Sequence, residues 1–237
     1  MFDKSFEYYD RIYREFKDYH AEAKKIDEII KQKKPDAKSI LDVACGTGEH
    51  AHILTEQYGY NVDGIDIEPA FVEIAQSKCT AGEFSVADMT DFDLGKEYDV
   101  VTCLFSAIGY VKTIENTTKA IGEFARHVRP GGIIIVEPWI SKKDFEGVGN
   151  YHLKTVDAED LKVARISYSE IIGNISRITF QYLIGADGKF AHEREVHELG
   201  LLTNEELAGC FEANGLEYDF DEIGLMDRGL FVAKQAG

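Results

Sequence analysis

A glycine-containing turn follows the first apolar run of the chain. Residues 39–41 (SIL) lead into residues 42–48 (DVACGTG), and a helical pattern begins at Glu49. Gly46 and Gly48 carry no Cβ and tolerate positive φ, so the backbone at this turn can approach a ligand closely. The succession of strand, turn and helix predicts a binding site for a small ligand.

An acidic residue ends the next strand pattern. Residues 61–66 close on Asp66, twenty positions after Gly46. A carboxylate there can accept hydrogen bonds from both hydroxyls of a ribose, which predicts an adenosine-containing cofactor on an α/β sheet. The turn also satisfies the G-x-G-x-x-G/A dinucleotide pattern, with Asp66 at the expected spacing. The loop alone therefore leaves open whether the cofactor is a nicotinamide dinucleotide or S-adenosylmethionine.

Later segments favour S-adenosylmethionine. A third short strand, residues 83–86, is followed by Asp88, whose carboxylate could reach an adenine amino group. Residues 98–105 and 133–137 predict two further strands, the second of which follows a turn at residues 129–132 (RPGG). Strands that alternate with helical patterns predict βαβ units and a parallel sheet.

From about residue 38 to residue 138 this succession resembles the class I S-adenosylmethionine-dependent methyltransferases. The first glycine of the family's turn is Ala44 here, and we expect alanine to fit because that position keeps a negative φ. The resemblance implies that one set of residues binds the cofactor: Tyr19, Asp42, Ala44, Gly46, Gly48, Asp66, Ile67, Asp88, Met89 and Leu104.

Segments outside the glycine turn narrow the resemblance. They are residues 17–23 (KDYHAEA), 88–92 (DMTDF), 105–110 (FSAIGY), 136–139 (VEPW) and 228–231 (RGLF). With residues 41–48 they resemble the nucleotide-linked aminosugar N,N-dimethyltransferases of macrolide sugar pathways, such as those that make desosamine and mycaminose. The resemblance implies that Arg228 meets the diphosphate of a sugar nucleotide. It also implies that Tyr110, our candidate catalytic residue, lies near the amine.

Two candidate substrate residues have alternative roles. Trp139, the single tryptophan, could stack on a ring at the mouth of the site or simply pack there. Asp227 stands where the family has glycine, so a surface salt bridge between Asp227 and Arg228 remains an alternative to phosphate binding.

The N-terminus is rich in aromatic residues at helical spacing: Phe2, Phe6, Tyr8, Tyr9, Tyr13, Phe16 and Tyr19. They predict either a hydrophobic docking face or a lid that closes over cofactor and acceptor and excludes water. Tyr9 is a candidate substrate residue, because a tyrosine hydroxyl can orient an amine or hold a ribose.

Composition limits the classes of partner. The 237 residues carry a formal charge of −17, which argues against nucleic acid as a partner. Without a signal peptide or an apolar run of roughly 18 residues, we expect a soluble cytoplasmic protein that does not enter a membrane. The four cysteines show no C-x-x-C spacing, and His50 and His52 face different ways on a helix, so we expect no metal site. The oligomeric state stays open, a homodimer included.

The predicted fold is α/β, of the class I methyltransferase (Rossmann-like) type, with a seven-stranded mixed sheet. We divide it into an N-terminal helical lid (1–34), a cofactor-binding core (38–138), an antiparallel insertion over the site (139–201) and a final helix with strands (202–237). The lid comprises helices over residues 5–16 and 19–34. The insertion is a β-ribbon of three strands, over residues 161–172, 175–184 and 190–201.

The predicted function is transfer of a methyl group from S-adenosylmethionine to an amine of a small molecule, which leaves S-adenosyl-L-homocysteine. A TDP-linked aminosugar is the leading acceptor. An N- or O-methyltransferase of another metabolite, a non-catalytic S-adenosylmethionine-binding protein and a dehydrogenase are the alternatives.

Overall fold

Two β-sheets, one of seven strands and one of four, form the framework of the molecule. The computed structural model describes residues 6–141, 145 and 148–235, so Phe2 and Ser5 of the predicted N-terminal segment lie outside the described residues. In chain order the strands are β1 (Ser39–Val43), β2 (Asn61–Asp66), β3 (Phe84–Val86), β4 (Tyr98–Cys103), β5 (Val128–Val136), β6 (Tyr151–Asp157), β7 (Leu161–Ile172), β8 (Ile175–Ala186), β9 (Lys189–Gly200), β10 (Leu216–Asp221) and β11 (Leu230–Gln235). The α-helices are α1 (Phe6–Arg14), α2 (Tyr19–Lys33), α3 (Glu49–Tyr58), α4 (Pro69–Lys78), α5 (Ile114–His127) and α6 (Asn204–Glu212), and a short 3-10 helix spans Ala107–Val111.

The larger sheet has the strand order β10-β11-β5-β4-β1-β2-β3. β1 pairs in parallel with β2 and β4, whereas β11 is antiparallel to β5. Ile40, Leu41 and Val43 are fully buried, because α5 and α6 cover one face of the sheet and α2, α3 and α4 cover the other. The predicted seven-stranded mixed sheet is confirmed. The loops after β1, β2, β4 and β5 all emerge at the carboxyl edge, where α/β sheets bind ligands.

The fifth strand begins earlier than the sequence predicts. The predicted turn at residues 129–132 lies inside β5, which pairs with β4 at Val128 and again from Ile133 onward. The register shifts between these points, and Gly131 has a φ of 75°. Glycine at a positive φ lets the chain make an irregularity there without leaving the sheet.

The insertion is a sheet of four antiparallel strands, in the order β6-β7-β8-β9, rather than the predicted three. β6 was not predicted because six of its seven residues are exposed and its apolar residues do not share one face: Tyr151 and Leu153 lie on one face and Val156 on the other. The other three strands are confirmed to within two residues at each end. One face of this sheet carries Val156, Val163, Tyr182 and Ile184, which pack with Ile12 of α1.

The N-terminal helices closely follow the predicted ranges. α2 begins after Asp18, whose side chain accepts a hydrogen bond from Ala21 N at 2.9 Å. α6 begins with the predicted capping box between Thr203 and Glu206, and both hydrogen bonds of that motif are present. Ile12 is 1% exposed, and burial of such a side chain stabilises the docking of α1 by about 2 kcal/mol. Ile12 thus joins α1 to the four-stranded sheet.

No helix among the described residues has the length and apolar character that a membrane crossing requires.

Candidate active site

The glycine turn after β1 has three residues in the left-handed region. Gly46 and Gly48 have φ values of 55° and 74°, as predicted for this turn. Ala44, at a φ of 57°, does not keep the predicted negative φ. That prediction was wrong because the turn itself requires left-handed backbone at this position, and the alanine methyl is small enough for the cost to stay near 1–2 kcal/mol.

The two glycines meet different surroundings. A Cβ added to Gly46 would meet nothing within 4 Å, so the space above this residue is open for a ligand. A Cβ on Gly48 would lie 3.0 Å from the Cβ of Ala75 in α4. Gly48 therefore allows α3 and α4 to pack closely, and Gly46 leaves room for backbone approach to a ligand.

Asp66 joins the turn to the end of β2. Its Oδ2 accepts a hydrogen bond from Gly46 N at 2.8 Å, and its Oδ1 accepts one from Glu68 N at 2.9 Å. Burial raises the pKa of this carboxyl. Since a carboxylate has about four acceptor sites, Asp66 can hold the turn and still accept a further hydrogen bond.

The remaining predicted cofactor residues on the next loops differ in exposure. Ile67 is 62% exposed beside Asp66, which leaves an apolar face available to a flat ring. Asp88 is exposed, and its Oδ1 accepts hydrogen bonds from the backbone and hydroxyl of Thr90, each at 2.8 Å. Met89 is half-buried and Leu104 is buried.

Asp42 and Tyr19 are both buried. Burial raises the pKa of Asp42 to about 6, and Thr102 Oγ1 donates a hydrogen bond to its Oδ1 at 2.8 Å. The ring of Tyr19 lies edge-on to His50, with 5.0 Å between centroids. Next to it, Glu22 accepts hydrogen bonds from Lys17 Nζ at 2.5 and 2.7 Å and lies 2.8 Å from His50 Nε2. This buried cluster fixes the start of α2 against α3.

The loop after β4 holds two consecutive non-glycine residues in the left-handed region. Phe105 and Ser106 have φ values of 53° and 59°, a conformation that costs free energy and recurs at functional sites. Glu137 Oε2 accepts a hydrogen bond from Phe105 N at 2.6 Å, and Ser106 Oγ donates one to Pro138 O at 2.7 Å. The segment after β5 therefore holds the strained loop in place.

The side chain of Arg228 contacts this loop and does not pair with Asp227 at the surface. Its Nη1 donates a hydrogen bond to Ser106 Oγ at 3.0 Å, and its guanidinium lies 4.8 Å from the ring centroid of Trp139. Arg228 is half-buried, and no ion pair with Asp227 exists in the described part of the chain. Trp139 in turn donates from Nε1 to Ser176 Oγ of β8 at 2.9 Å. The surface salt bridge that the sequence left open is thus not what the structure shows.

Tyr110, on the 3-10 helix, contacts a polar group of the insertion. Its hydroxyl lies 2.7 Å from Nδ1 of His197 in β9, and Nε2 of His197 lies 3.2 Å from Oε2 of Glu195. The same carboxylate oxygen accepts a hydrogen bond from Tyr182 at 3.1 Å. Burial raises the pKa of Tyr110, and the neighbouring Tyr13 and the carboxylate of Glu195 add to that effect, so its phenol stays protonated.

Tyr9 lies on α1, which is attached directly to the glycine turn. Its ring packs against Phe71 of α4, with 5.0 Å between centroids. The next residue, Asp10, accepts a short hydrogen bond from Thr47 Oγ1 and forms an ion pair with Lys78 Nζ at 2.6 Å. Helix α1 therefore rests on the loop that is open above Gly46.

Several residues of this edge were not singled out by the sequence analysis. They are Lys17, Ser106, Glu137, Arg165, Glu195 and His197. Lys17, Ser106 and Glu137 stood inside the quoted segments; Ser106 and Glu137 could have been selected as polar residues after strand ends, and Lys17 as a charged residue before α2. The other three lie on β7 and β9, where polar residues among apolar ones on the inward face were the available signal.

Comparisons with known proteins agree with this geometry. A family model described as "Methyltransferase domain" matches residues 40–132. The dTDP-3-amino-3,6-dideoxy-alpha-D-glucopyranose N,N-dimethyltransferase of Streptomyces fradiae is 37% identical over 228 residues, which cover 95% of this chain and 89% of that protein. The crystal structure of Streptomyces venezuelae DesVI superposes with a TM-score of 0.92 at 35% identity, over 97% of this chain and 98% of that one.

A third relative was solved with the cofactor in place. CalS10, an amino pentose methyltransferase from Micromonospora echinaspora with bound SAM, superposes with a TM-score of 0.87 at 33% identity, over 96% of each chain. Each of these matches covers at least 95% of this chain. The chain therefore belongs to the class I S-adenosylmethionine-dependent methyltransferases, in the family of the nucleotide-linked aminosugar N,N-dimethyltransferases.

Proposed function

We propose that the chain transfers methyl groups to the amine of a nucleotide-linked aminosugar, with a dTDP sugar as the acceptor. The observation that carries this proposal is the position of Arg228. Its guanidinium is half-buried and forms no ion pair with a carboxylate among the described residues. It donates a hydrogen bond to Ser106, on the loop that leads to Tyr110. A guanidinium in such a place suits a phosphate group, which it can bind through two parallel hydrogen bonds. The relatives' acceptors, named as dTDP-aminosugars, supply both the phosphate and the amine.

The residues at the carboxyl edge fit S-adenosylmethionine. The open space above Gly46 admits the amino-acid portion close to backbone, Asp66 retains acceptor capacity for a ribose, and Ile67 offers an exposed apolar face for adenine. When bound, the cofactor supplies a methyl group on a sulfonium, which is electrophilic without further activation. We assign Asp88 and Met89 to the adenine end of this site, and Tyr19, Asp42, Ala44, Gly48 and Leu104 to its walls.

The hydrogen bonds of His197 determine what Tyr110 can do. A carboxylate only accepts hydrogen bonds, so Nε2 of His197 must carry the hydrogen that faces Glu195. In the neutral ring Nδ1 is then an acceptor, and Tyr110 donates its O–H to it. The lone pairs of the Tyr110 oxygen consequently remain available to accept a hydrogen bond from the substrate amine.

This arrangement gives the amine a route for its proton. An aminosugar reaches the enzyme largely as an ammonium, which has no lone pair for attack. The N–H proton moves to the oxygen of Tyr110 while the phenolic proton moves to Nδ1 of His197, and Glu195 stabilises the resulting imidazolium. The amine is left neutral, and its alignment with the methyl group contributes up to about 7–11 kcal/mol of the rate enhancement.

Helix α1 completes the enclosure in this proposal. Tyr9 on its inner side faces the acceptor, and the bond from Asp10 to Thr47 fastens the helix to the cofactor turn. Such a lid excludes water from the reacting groups.

A turnover screen by mass spectrometry tests the function. We expect dTDP-linked 3- or 4-aminosugars to gain one and then two methyl groups, with S-adenosylhomocysteine released at each step. The same sugars without the nucleotide should react far more slowly, because they cannot bind to Arg228. Turnover of simple amines or hydroxylated metabolites, with none of any dTDP-aminosugar, would instead favour a methyltransferase of another small metabolite.

We also infer that two copies of the chain associate through the outer face of the four-stranded sheet. Tyr151 and Leu153 are 74% and 65% exposed there, and Ile166, the register partner of Leu153, is 46% exposed. Exposed apolar side chains that adjoin on one sheet face are typical of an interface. Light scattering should show a dimer for the wild-type chain and a monomer for Ile166→Glu.

A further inference from the structure

Arg165 of β7 has a buried guanidinium with an unused donor. The residue is 8% exposed, and its Nη1 makes no hydrogen bond within the described part of the chain. Its guanidinium lies between aromatic rings, 4.7 Å from the centroid of Phe180, 5.2 Å from that of Phe16 and 5.6 Å from that of Tyr13. A buried hydrogen-bond donor without an acceptor lowers the stability of the fold. A bound ligand that accepts from Nη1 would remove that cost.

A chain of contacts connects Arg165 to the site of Arg228. Tyr13 contacts the guanidinium of Arg165, and its ring is 5.4 Å from that of Phe105. The next residue, Ser106, accepts the hydrogen bond of Arg228. Burial raises the pKa of the Tyr13 hydroxyl, while the charges of Arg165 and Arg228 both act to lower it, as expected when both cations lie near that oxygen.

We propose that Arg165 is a second cationic ligand of the acceptor's diphosphate, and that it acts together with Arg228 from the other side of the insertion–core junction. The proposal rests on the proposed function, since it needs a nucleotide-linked acceptor. A diphosphate carries more than one negative charge on two phosphoryl groups, and each planar guanidinium can bind one of them bidentately. The unused Nη1 of Arg165 then has its acceptor only when substrate is bound.

The surroundings of Arg165 agree with an anion site. Lys154 of β6 is its register partner, and its Nζ lies 4.4 Å from the ring of Phe16, so a second positive charge adjoins it. Two carboxylates of β9 share this face: Glu193, the register partner of Tyr182, is half-buried, and Glu195 accepts hydrogen bonds from Tyr182 and from His197. Glu195 is thus engaged by the network that holds Tyr110.

Binding of TDP to the enzyme, measured by calorimetry in the presence of S-adenosylhomocysteine, tests this assignment. We expect Arg165→Gln to weaken TDP by roughly tenfold or more and TMP by less, because the variant loses a partner for one phosphoryl group. Arg165→Lys should fall between Arg165→Gln and the wild type, since it keeps the charge without the planar fork. With a dTDP-aminosugar, KM should rise in proportion while kcat stays within about threefold.

Arg177→Gln is the matched control, because Arg177 lies on the outer face of β8, where it pairs with Glu198 and Glu170. It should bind TDP like the wild type. If Arg165 only supports the aromatic rings of Tyr13, Phe16 and Phe180, affinity for S-adenosylhomocysteine and the thermal midpoint will fall in Arg165→Gln, and the ratio of TDP affinity to TMP affinity will not change. That result would overturn the proposal. If Arg165→Gln folds poorly, the ratio of TDP affinity to TMP affinity can be measured in Arg165→Lys instead, and an unchanged ratio there would also overturn it.

The proposed function and this inference fail in different ways. A wild-type enzyme that neither binds TDP nor methylates any dTDP-aminosugar would overturn both. A wild-type enzyme that does both, with Arg165 variants of unchanged TDP affinity and KM, would overturn the role of Arg165 alone.

Discussion

The hydroxyl of Tyr110 lies 2.7 Å from Nδ1 of His197, although 87 positions separate the two residues in the chain. One stands on the 3-10 helix after β4 of the large sheet, and the other on β9 of the insertion. The contact joins the loop after β4 of the large sheet to the four-stranded sheet. It also turns a lone tyrosine into one end of a hydrogen-bonded chain that ends on Glu195.

The first prediction concerns this chain. Tyr110→Phe should lower kcat for a dTDP-aminosugar by roughly tenfold to a hundredfold at neutral pH, because the substrate ammonium loses its proton acceptor. The defect should shrink near pH 9–10 (about two to three units higher), where solvent already deprotonates the amine. His197→Gln should show the same pH-dependent loss, since an amide can accept the phenolic hydrogen bond but cannot take the proton. Steady-state kinetics across pH checks both.

Tyr60→Phe is the control for that experiment. Tyr60 is also a buried tyrosine, and its hydroxyl donates to Asp27 at 2.9 Å, away from the carboxyl edge of the sheet. We expect a modest loss of stability and an unaltered pH profile of kcat. A Tyr110→Phe defect that is the same at every pH would contradict the proton route.

The second prediction separates ligand approach from backbone strain at the glycine turn. Gly46→Ala and Gly59→Ala both place a Cβ at a positive φ, 55° and 78°, with no atom within 4 Å of it. Each should cost about 1–2 kcal/mol in unfolding free energy. Only Gly46→Ala should also weaken S-adenosylmethionine, by roughly tenfold or more in calorimetry, because its methyl enters the space the ligand needs. Equal cofactor affinity in the two variants would refute the assignment of that space.

The third prediction concerns Asp66. Asp66→Ala removes an acceptor for the ribose and also the carboxylate that binds Gly46 N, so affinity for S-adenosylmethionine should fall by roughly tenfold or more. Asp66→Asn keeps one carbonyl oxygen and should lose less. Calorimetry on both variants, with circular dichroism to confirm folding, measures the effect. An Asp66→Ala variant that binds the cofactor normally would remove this residue from the site.

The fourth prediction is for Arg228. Arg228→Ala should raise KM for a dTDP-aminosugar with little change in kcat, because a phosphate contact far from the methyl group serves ground state and transition state alike. Arg228→Lys should recover part of the loss. Asp227→Asn should leave KM unchanged, since Asp227 is exposed and does not pair with Arg228. A wild-type KM in Arg228→Ala would remove the main support for a nucleotide-linked acceptor.

The fifth prediction is the effect of Asp42 on stability as pH changes. Burial raises its pKa from an ordinary value near 3.8 to about 6 in the folded chain, so between these values the folded state holds more protons than the unfolded state. The unfolding free energy therefore declines as pH rises from about 4 to about 6, by as much as about 3 kcal/mol from this group. Asp42→Asn, which still accepts from Thr102, should remove that decline and be more stable than the wild type at neutral pH. Urea denaturation of both proteins at the two ends of this pH range measures the change in unfolding free energy. If that change is the same in the wild type and in Asp42→Asn, Asp42 does not titrate in this range.

Local patterns in the sequence determined the core of this protein. The alternation of apolar strands with helical segments was enough for the seven-stranded sheet, and Gly46 and Gly48 were enough for the left-handed turn after β1. The capping box at Thr203 could likewise be predicted from the sequence, because its two hydrogen bonds join residues three positions apart. Each of these features depends on interactions within a few residues, or on the period with which side chains point to one face.

Tertiary structure decided the rest of the site. The left-handed φ of Ala44 follows from how β1 must turn into α3, and it could not be predicted because alanine has no preference for that conformation. Tyr110 meets His197, and Arg165 meets Tyr13, only because the insertion folds back over the edge of the large sheet. Such contacts join elements far apart in the chain, so their partners are set by sheet register and packing. The sequence around a polar residue on β7 or β9 does not predict which distant residue it contacts.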